Sequence, residues 1–306
     1  MSRGSRIGPV MTNPALPDLP TPAPTLRAAM WMAGAIMSFL SMAVAGRALA
    51  SELDTFEIMT YRSLTGVIIM FVVITLTGKW HRITTHRLGL HVLRNVAHFT
   101  GQNLWFFAIT MIPLAQVFAL EFTSPIWVLV LSPIFLAEKM TRRRALAALI
   151  GFSGILLITR PGAQTLSPGL IAAALCAICF AGTIISTKRL TRDVPTICIL
   201  FWLTVMQAVL GLVTGGLDMD FAVPSLELLP WAVLVGLAGL FAHFCVTTAL
   251  SIAPATLVAP MDFVRLPSAA ILGLLVYNEA LDPFVLIGAA IIFGANYANI
   301  RGEQRA

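Results

Sequence analysis

Residues 118–129 read FALEFTSPIWVL and residues 258–269 read VAPMDFVRLPSA; each apolar stretch carries one acid, Glu121 and Asp262, 141 positions apart. An ionised carboxylate in the middle of such a run costs a few kcal/mol if the run lies in lipid. Composition places it there: 58% of the 306 residues are hydrophobic and 11% are charged, where a soluble chain carries about 25% charge. A hydrocarbon core of roughly 30 Å, crossed at about 1.5 Å per residue, asks for apolar spans of about 20 residues. Ten are predicted, over 27–48, 55–78, 88–109, 113–137, 143–159, 168–187, 196–216, 228–250, 254–277 and 282–300. The fold class expected is an all-α integral membrane bundle, and the short connections leave no room for a soluble domain.

Working outward, the offset of 141 carries the first five spans onto the last five. It places Pro113 on Pro254, Phe122 on Phe263, Glu138 on Glu279, Arg47 on Lys188 and Arg160 on Arg301, with ten identities over 108–160. Five is odd, so the second unit is upside down relative to the first. Two inverted five-helix repeats, 26–161 and 168–301, around a central cavity are a plan of secondary transporters, with the site near the midplane. Residues 1–25, with prolines at 9, 14, 17, 20, 22 and 24, read as a disordered cytoplasmic tail. Ala48-Leu49-Ala50 resembles a signal-peptidase site, but the run before it exceeds a signal core of 7–15 residues.

Fifteen of the twenty Lys and Arg residues fall on one side of this topology, among them Arg27, Lys79, Arg82, Lys139, Arg142, Arg143, Arg144, Lys188 and Arg189. The other side holds Arg160 and acids such as Glu52, Asp54 and Glu227. The positive-inside rule then puts both termini in the cytoplasm of a bacterial inner membrane. Topology and anionic lipid account for the net charge of +6, so no nucleic-acid partner is expected.

The run from Pro125 through Leu136-Ala137-Glu138-Lys139 into Gly151 and Gly154, on ten spans in two halves, resembles the drug/metabolite transporter superfamily, EamA branch. The resemblance covers about 26–301. It implies that spans one to four and six to nine line a cavity while five and ten sit outside. Among the branches it is most similar to the amino-acid exporters; relatives carrying S-adenosylmethionine, riboflavin or other metabolites form the alternative. Direction follows from the resemblance alone, because an inverted repeat is reversible.

Glu121 and Asp262 each lie eight residues into their spans, from opposite faces, which sets both near the midplane. Arg265 is one turn beyond Asp262 and is its natural partner. The three groups either meet the ammonium and carboxylate of a zwitterion, carry a proton, or neutralise one another structurally. Arg62 and Arg94 bring further charge, unless they snorkel to the surface. Arg94, His98, Gln102 and Trp105 form one face of span three, and Gln102 falls on His243 in the repeat. Tyr61, Trp105, Trp127 and Trp202 are candidates for an aromatic cavity wall. Glu138 and Glu279, at corresponding span ends, are candidates for gating or loop pinning against arginines. Prolines 113, 125 and 133, and 254, 260 and 267, predict discontinuity in spans four and nine.

No metal or cofactor motif stands out. Cys176-x-x-Cys179 has no second pair, and the four cysteines read as small apolar packing. Gly151-Phe152-Ser153-Gly154 resembles the rhomboid-protease nucleophile motif. Its repeat mate Ile292-Phe293-Gly294-Ala295 keeps two small residues, which points to close helix packing instead. A channel is the remaining competitor, separable from a carrier by saturable, counter-substrate-stimulated flux. The partners expected are a small-molecule substrate and membrane lipid, with the chain a monomer or weak homodimer and not an enzyme.

Overall fold

The computed structural model describes residues 24–135, 141–160, 166–216, 221–252 and 261–304. Helices are α1 (Pro24–Leu49), α2 (Thr55–Leu76), α3 (Leu88–Met111), α4 (Leu114–Glu121), α5 (Ser124–Phe135) and α6 (Arg142–Thr159). The second repeat supplies α7 (Pro168–Leu190), α8 (Thr196–Gly215), α9 (Leu229–Ile252), α10 (Arg265–Tyr277) and α11 (Pro283–Gln304). No strand occurs among the described residues. Helix is what a lipid environment demands, since every backbone N–H and C=O must find its partner within the segment. Among the described residues six helical stretches are long and apolar enough to cross a membrane, and 145–159, 265–277 and 283–299 are shorter apolar helices. The 24-residue α3 falls short of that hydropathy because of its polar stripe, which it buries against other helices.

Capping marks the ends. Asp54 and Glu57 form a reciprocal capping box at α2, with both bonds at 2.8 Å. Glu57 also accepts from Ala222 N–H, Glu52 accepts from Ser225 N–H at 2.8 Å, and Tyr61 donates to Ala222 O at 3.0 Å. The loop before α9 is thereby tied to the start of α2.

Packing follows the repeat, but the repeats interlock. α1 lies along α9, and its symmetry equivalent α7 lies along α3; α2 pairs with α8, α4 with α10, and α6 with α11. Each of these main pairings joins one repeat to the other, so neither repeat is a separate body. α6 and α11 pack chiefly on each other and on α4 and α5. Their outer faces expose Leu146, Leu149, Phe152, Phe284 and Ile287. The peripheral place of spans five and ten implied by the resemblance is the place they take.

At that interface a Cβ on Gly154 would stand 2.7 Å from Gly288 O, and one on Gly288 would stand 2.8 Å from Gly154 O. The two backbones touch because both residues lack side chains. Ser153 is exposed beside them and donates to Ile150 O at 2.7 Å, so its hydroxyl serves its own helix. Gly154→Leu should push α6 off α11 and cost about 1–3 kcal/mol, as overpacking does, visible as a lowered Tm in detergent; Ser153→Ala should leave stability within about 0.5 kcal/mol of wild type.

Candidate functional site

Spans four and nine break at equivalent points. α4 stops at Glu121, Phe122 and Thr123 form a turn, and α5 starts at Ser124; Met261 and Asp262 are helical, Phe263 and Val264 form a turn, and α10 starts at Arg265. The breaks do not fall on prolines. Pro125 and Pro267 lie in the first turn of the second half-helix, where a missing N–H leaves no intrahelical bond unmade. The carbonyls freed at the first break are answered by Thr123 Oγ1 to Leu120 O (2.6 Å), Ser124 Oγ to Glu121 O (2.6 Å) and Asn296 Nδ2 to Phe122 O (3.3 Å). Prolines 254 and 260 lie outside the described residues.

The repeat mates at these breaks meet. Phe122 and Phe263 stack at 4.8 Å with planes 25° apart, so the pseudo-two-fold passes between them. Beside that stack Arg265 Nη2 lies 3.0 Å from Asp262 Oδ2 and 3.0 Å from Glu121 Oε1. The two carboxylate oxygens are therefore within twice that distance of each other. Trp105 Nε1 donates to the other Glu121 oxygen at 2.9 Å. The guanidinium is sandwiched by rings, with Cζ 4.5 Å from the centroid of Phe39, 4.8 Å from Phe122 and 5.2 Å from Phe118. Rings that face a cation in a dry site add attraction to the ion pairs.

A cavity of about 230 Å³ adjoins this cluster. Glu121, Asp262, Arg265, His98, Gln102, Trp105 and His243 all line it, as do Phe39, Phe122, Phe180 and Thr183. Helical spacing on α3 brings His98, Gln102 and Trp105 to the same wall. His98 and His243 stand 5.7 Å apart, with Phe180 6.0 Å from His98 and Phe39 6.2 Å from His243.

Three of the aromatic candidates lie elsewhere. Tyr61 is spent on the loop before α9, and Trp127, half-buried on α5, does not line this cavity. Trp202 donates to Thr84 O at 2.8 Å near one end of the bundle. Tyr61 and Trp202 lie in the first two turns of their helices, beside the loops they bond to, and so sit away from the middle of the bundle. Arg62 and Arg94 do not snorkel. They are 7% and 4% exposed, Arg62 donating to Gln207 Oε1 at 3.1 Å and Arg94 to Thr187 Oγ1 at 2.7 Å and Asn95 Oδ1 at 3.2 Å. The missed cavity residues include three phenylalanines, Phe39, Phe122 and Phe180, invisible in an apolar chain except for Phe122, whose alignment on Phe263 was a usable signal.

Glu279 lies at the end of α10, after a left-handed Asn278 (φ 53°). It pairs with Arg47 Nη1 at 2.6 Å and accepts from Leu114 N–H, the first amide of α4, at 2.9 Å. Arg47 also caps α3 through Ile109 O and Ile112 O and lies over Tyr277 at 4.4 Å. One end of the bundle is tied across both repeats by these contacts. Glu138, the mate of Glu279, lies outside the described residues.

Inverted five-helix repeats, broken helices meeting at the centre, and a charged cavity walled by both repeats define a multi-pass membrane transporter. The EamA-like transporter family matches twice, over residues 26–160 and 167–300, and the chain belongs to that family. It is 34% identical over 226 residues to a riboflavin transporter of Brucella anthropi, covering 72% of this chain and 80% of that one. It is 26% identical over 276 residues to an S-adenosylmethionine uptake transporter of Rickettsia bellii, covering 90% and 94%. A solved crystal structure superposes with a TM-score of 0.63 at 18% identity over 91% of this chain and 98% of the other, a likeness of fold alone.

Proposed function

We propose that this protein is a carrier that takes up a metabolite joining a flat heteroaromatic ring system to a polar tail, of the riboflavin or S-adenosylmethionine kind. The observation that carries the reading is the cavity: Phe39, Trp105, Phe122 and Phe180 give it aromatic lining, while Glu121, Asp262, Arg265, His98 and His243 supply charge and hydrogen bonds at the same place. Aromatic walls suit planar rings through stacking beyond simple burial, whereas a small amino acid asks for little of that surface. Amino-acid export, the branch the sequence most suggested, is not what these relatives are named for; they are named for uptake of riboflavin and S-adenosylmethionine.

In this reading Glu121, Asp262, Arg265, His98, Gln102, Trp105 and His243 contact the substrate, and the Arg47–Glu279 tie gates one end. The repeats are taken as 26–161 and 168–301, and the Lys and Arg asymmetry supports a cytoplasmic location of both termini. Counterflow in liposomes loaded with riboflavin or S-adenosylmethionine should give saturable exchange of one of them. Twenty amino acids at tenfold excess should leave that exchange unchanged. Exchange of amino acids with neither heteroaromatic compound accepted would reverse the assignment.

A further inference from the structure

Two arginines lie inside the bundle without an acid to answer them. Glu121 and Asp262 are engaged by Arg265, and among the described residues no carboxylate is in ion-pair range of Arg62 or Arg94. Arg94 satisfies itself on Thr187 and Asn95. Arg62 does not, because its buried Nε has no partner. The guanidinium lies against Gly239, where a Cβ would come 2.8 Å from Nε and 3.0 Å from Nη2. A space of about 10 Å³, the room of one water or one small anionic atom, lies beside it, lined by Arg62, Ser63, Thr204, Gln207 and His243, and His243 lines the central cavity as well.

The neighbours are set to donate. Gln207 Oε1 accepts from Arg62, so its amide nitrogen is the end that stands 2.7 Å from His98 Nδ1. Nδ1 must then accept, which leaves Nε2 of His98 as the protonated nitrogen. A buried guanidinium with an open donor, next to an imidazole held as a donor, is an incomplete arrangement in a low-dielectric bundle unless an anion joins it.

We infer that Arg62, with Gln207 and the His98–His243 pair, forms an anion subsite adjoining the central cavity, filled by the carboxylate of the transported molecule or by a free inorganic anion. The inference rests on the carrier reading and sharpens it. In the central cavity two acids share one arginine, so by count of charge that cluster is one positive group short; one oxygen of Asp262 and Nε of Arg265 are both buried there without a partner. One wall asks for an anion and the other for a cation. S-adenosylmethionine, with a carboxylate, an ammonium and a sulfonium beside its adenine, meets both demands; riboflavin, neutral and without a carboxylate, meets neither.

The test compares wild type with Arg62→Met in detergent, reading Tm shifts against S-adenosylmethionine and against its decarboxylated form, first in chloride and then in gluconate. With a carboxylate in the subsite, wild type responds at concentrations about 10-fold lower for the intact compound, the scale of one charge-assisted hydrogen bond, and Arg62→Met loses the distinction. With a free anion there instead, chloride raises the wild-type Tm saturably, Arg62→Met does not respond, and the two sulfonium compounds behave alike. If neither chloride nor the carboxylate separates wild type from Arg62→Met, the subsite does not exist. Should Arg62→Met fail to show a cooperative transition, Gly239→Ala keeps the charge and presses a methyl on Nε, and the same loss is required of it. A chloride effect that depends on Arg62, with neither heteroaromatic compound transported, retains the subsite and removes the substrate reading.

Discussion

Arg265→Leu should cost about 3–5 kcal/mol of stability and abolish transport, the largest effect expected of any single substitution in the cavity. Arg265 Nη2 is the common partner of Glu121 and Asp262, each at 3.0 Å. Without it two carboxylates face each other in a site where Glu121 is 13% exposed and Asp262 26%. Rings of Phe39, Phe118 and Phe122 that now surround a cation would surround a repulsive pair. Tm in detergent and counterflow in liposomes measure the two losses. Asp262→Asn separates them: Glu121 still balances Arg265, so the fold should persist while transport is lost. Full transport by Asp262→Asn would take Asp262 out of the mechanism.

Glu279→Ala should release the tied end of the bundle. It removes the ion pair to Arg47 and leaves the first amide of α4 without its acceptor. The side chains of Arg47 and Glu279 are 14% and 16% exposed, so the pair is shielded enough for a charged hydrogen bond of about 2 kcal/mol to bias one state. A bias of that size is roughly a 30-fold change in population. In a background with the four native cysteines replaced, Ser124→Cys in the cavity wall should react faster with an impermeant maleimide supplied from the Arg47 side once Glu279 is alanine. Unchanged labelling with a lowered Tm would make the tie a structural clamp and not a gate.

The membrane class, the spans and the repeat were legible because each depends on quantities local to the chain. Hydropathy over about 20 residues and a fixed offset need no partner to be read. The Asp262–Arg265 pair was legible for the same reason, being one helical turn. His98, Gln102 and Trp105 were placed on one wall by period alone. Local reasoning failed where contacts between segments decide the outcome. Tyr61 and Trp202 lie near the ends of their helices and bond to loops, and Trp127 does not line the cavity. Arg62 and Arg94 could be read as snorkelling because nothing in sequence revealed Gln207, Thr187 and Asn95 waiting inside.

By itself, then, the sequence determined that ten apolar spans form two inverted units with one acid near the middle of spans four and nine. Only the tertiary structure decided that the units interlock, α1 on α9 and α3 on α7, so that any opening must divide the bundle into groups drawn from both repeats. It also decided that Glu121 and Asp262 meet over a single arginine beside the stacked pair Phe122 and Phe263. The reason is that depth in a membrane is summed along one chain segment, whereas contact depends on the rotation and crossing of two segments far apart in sequence.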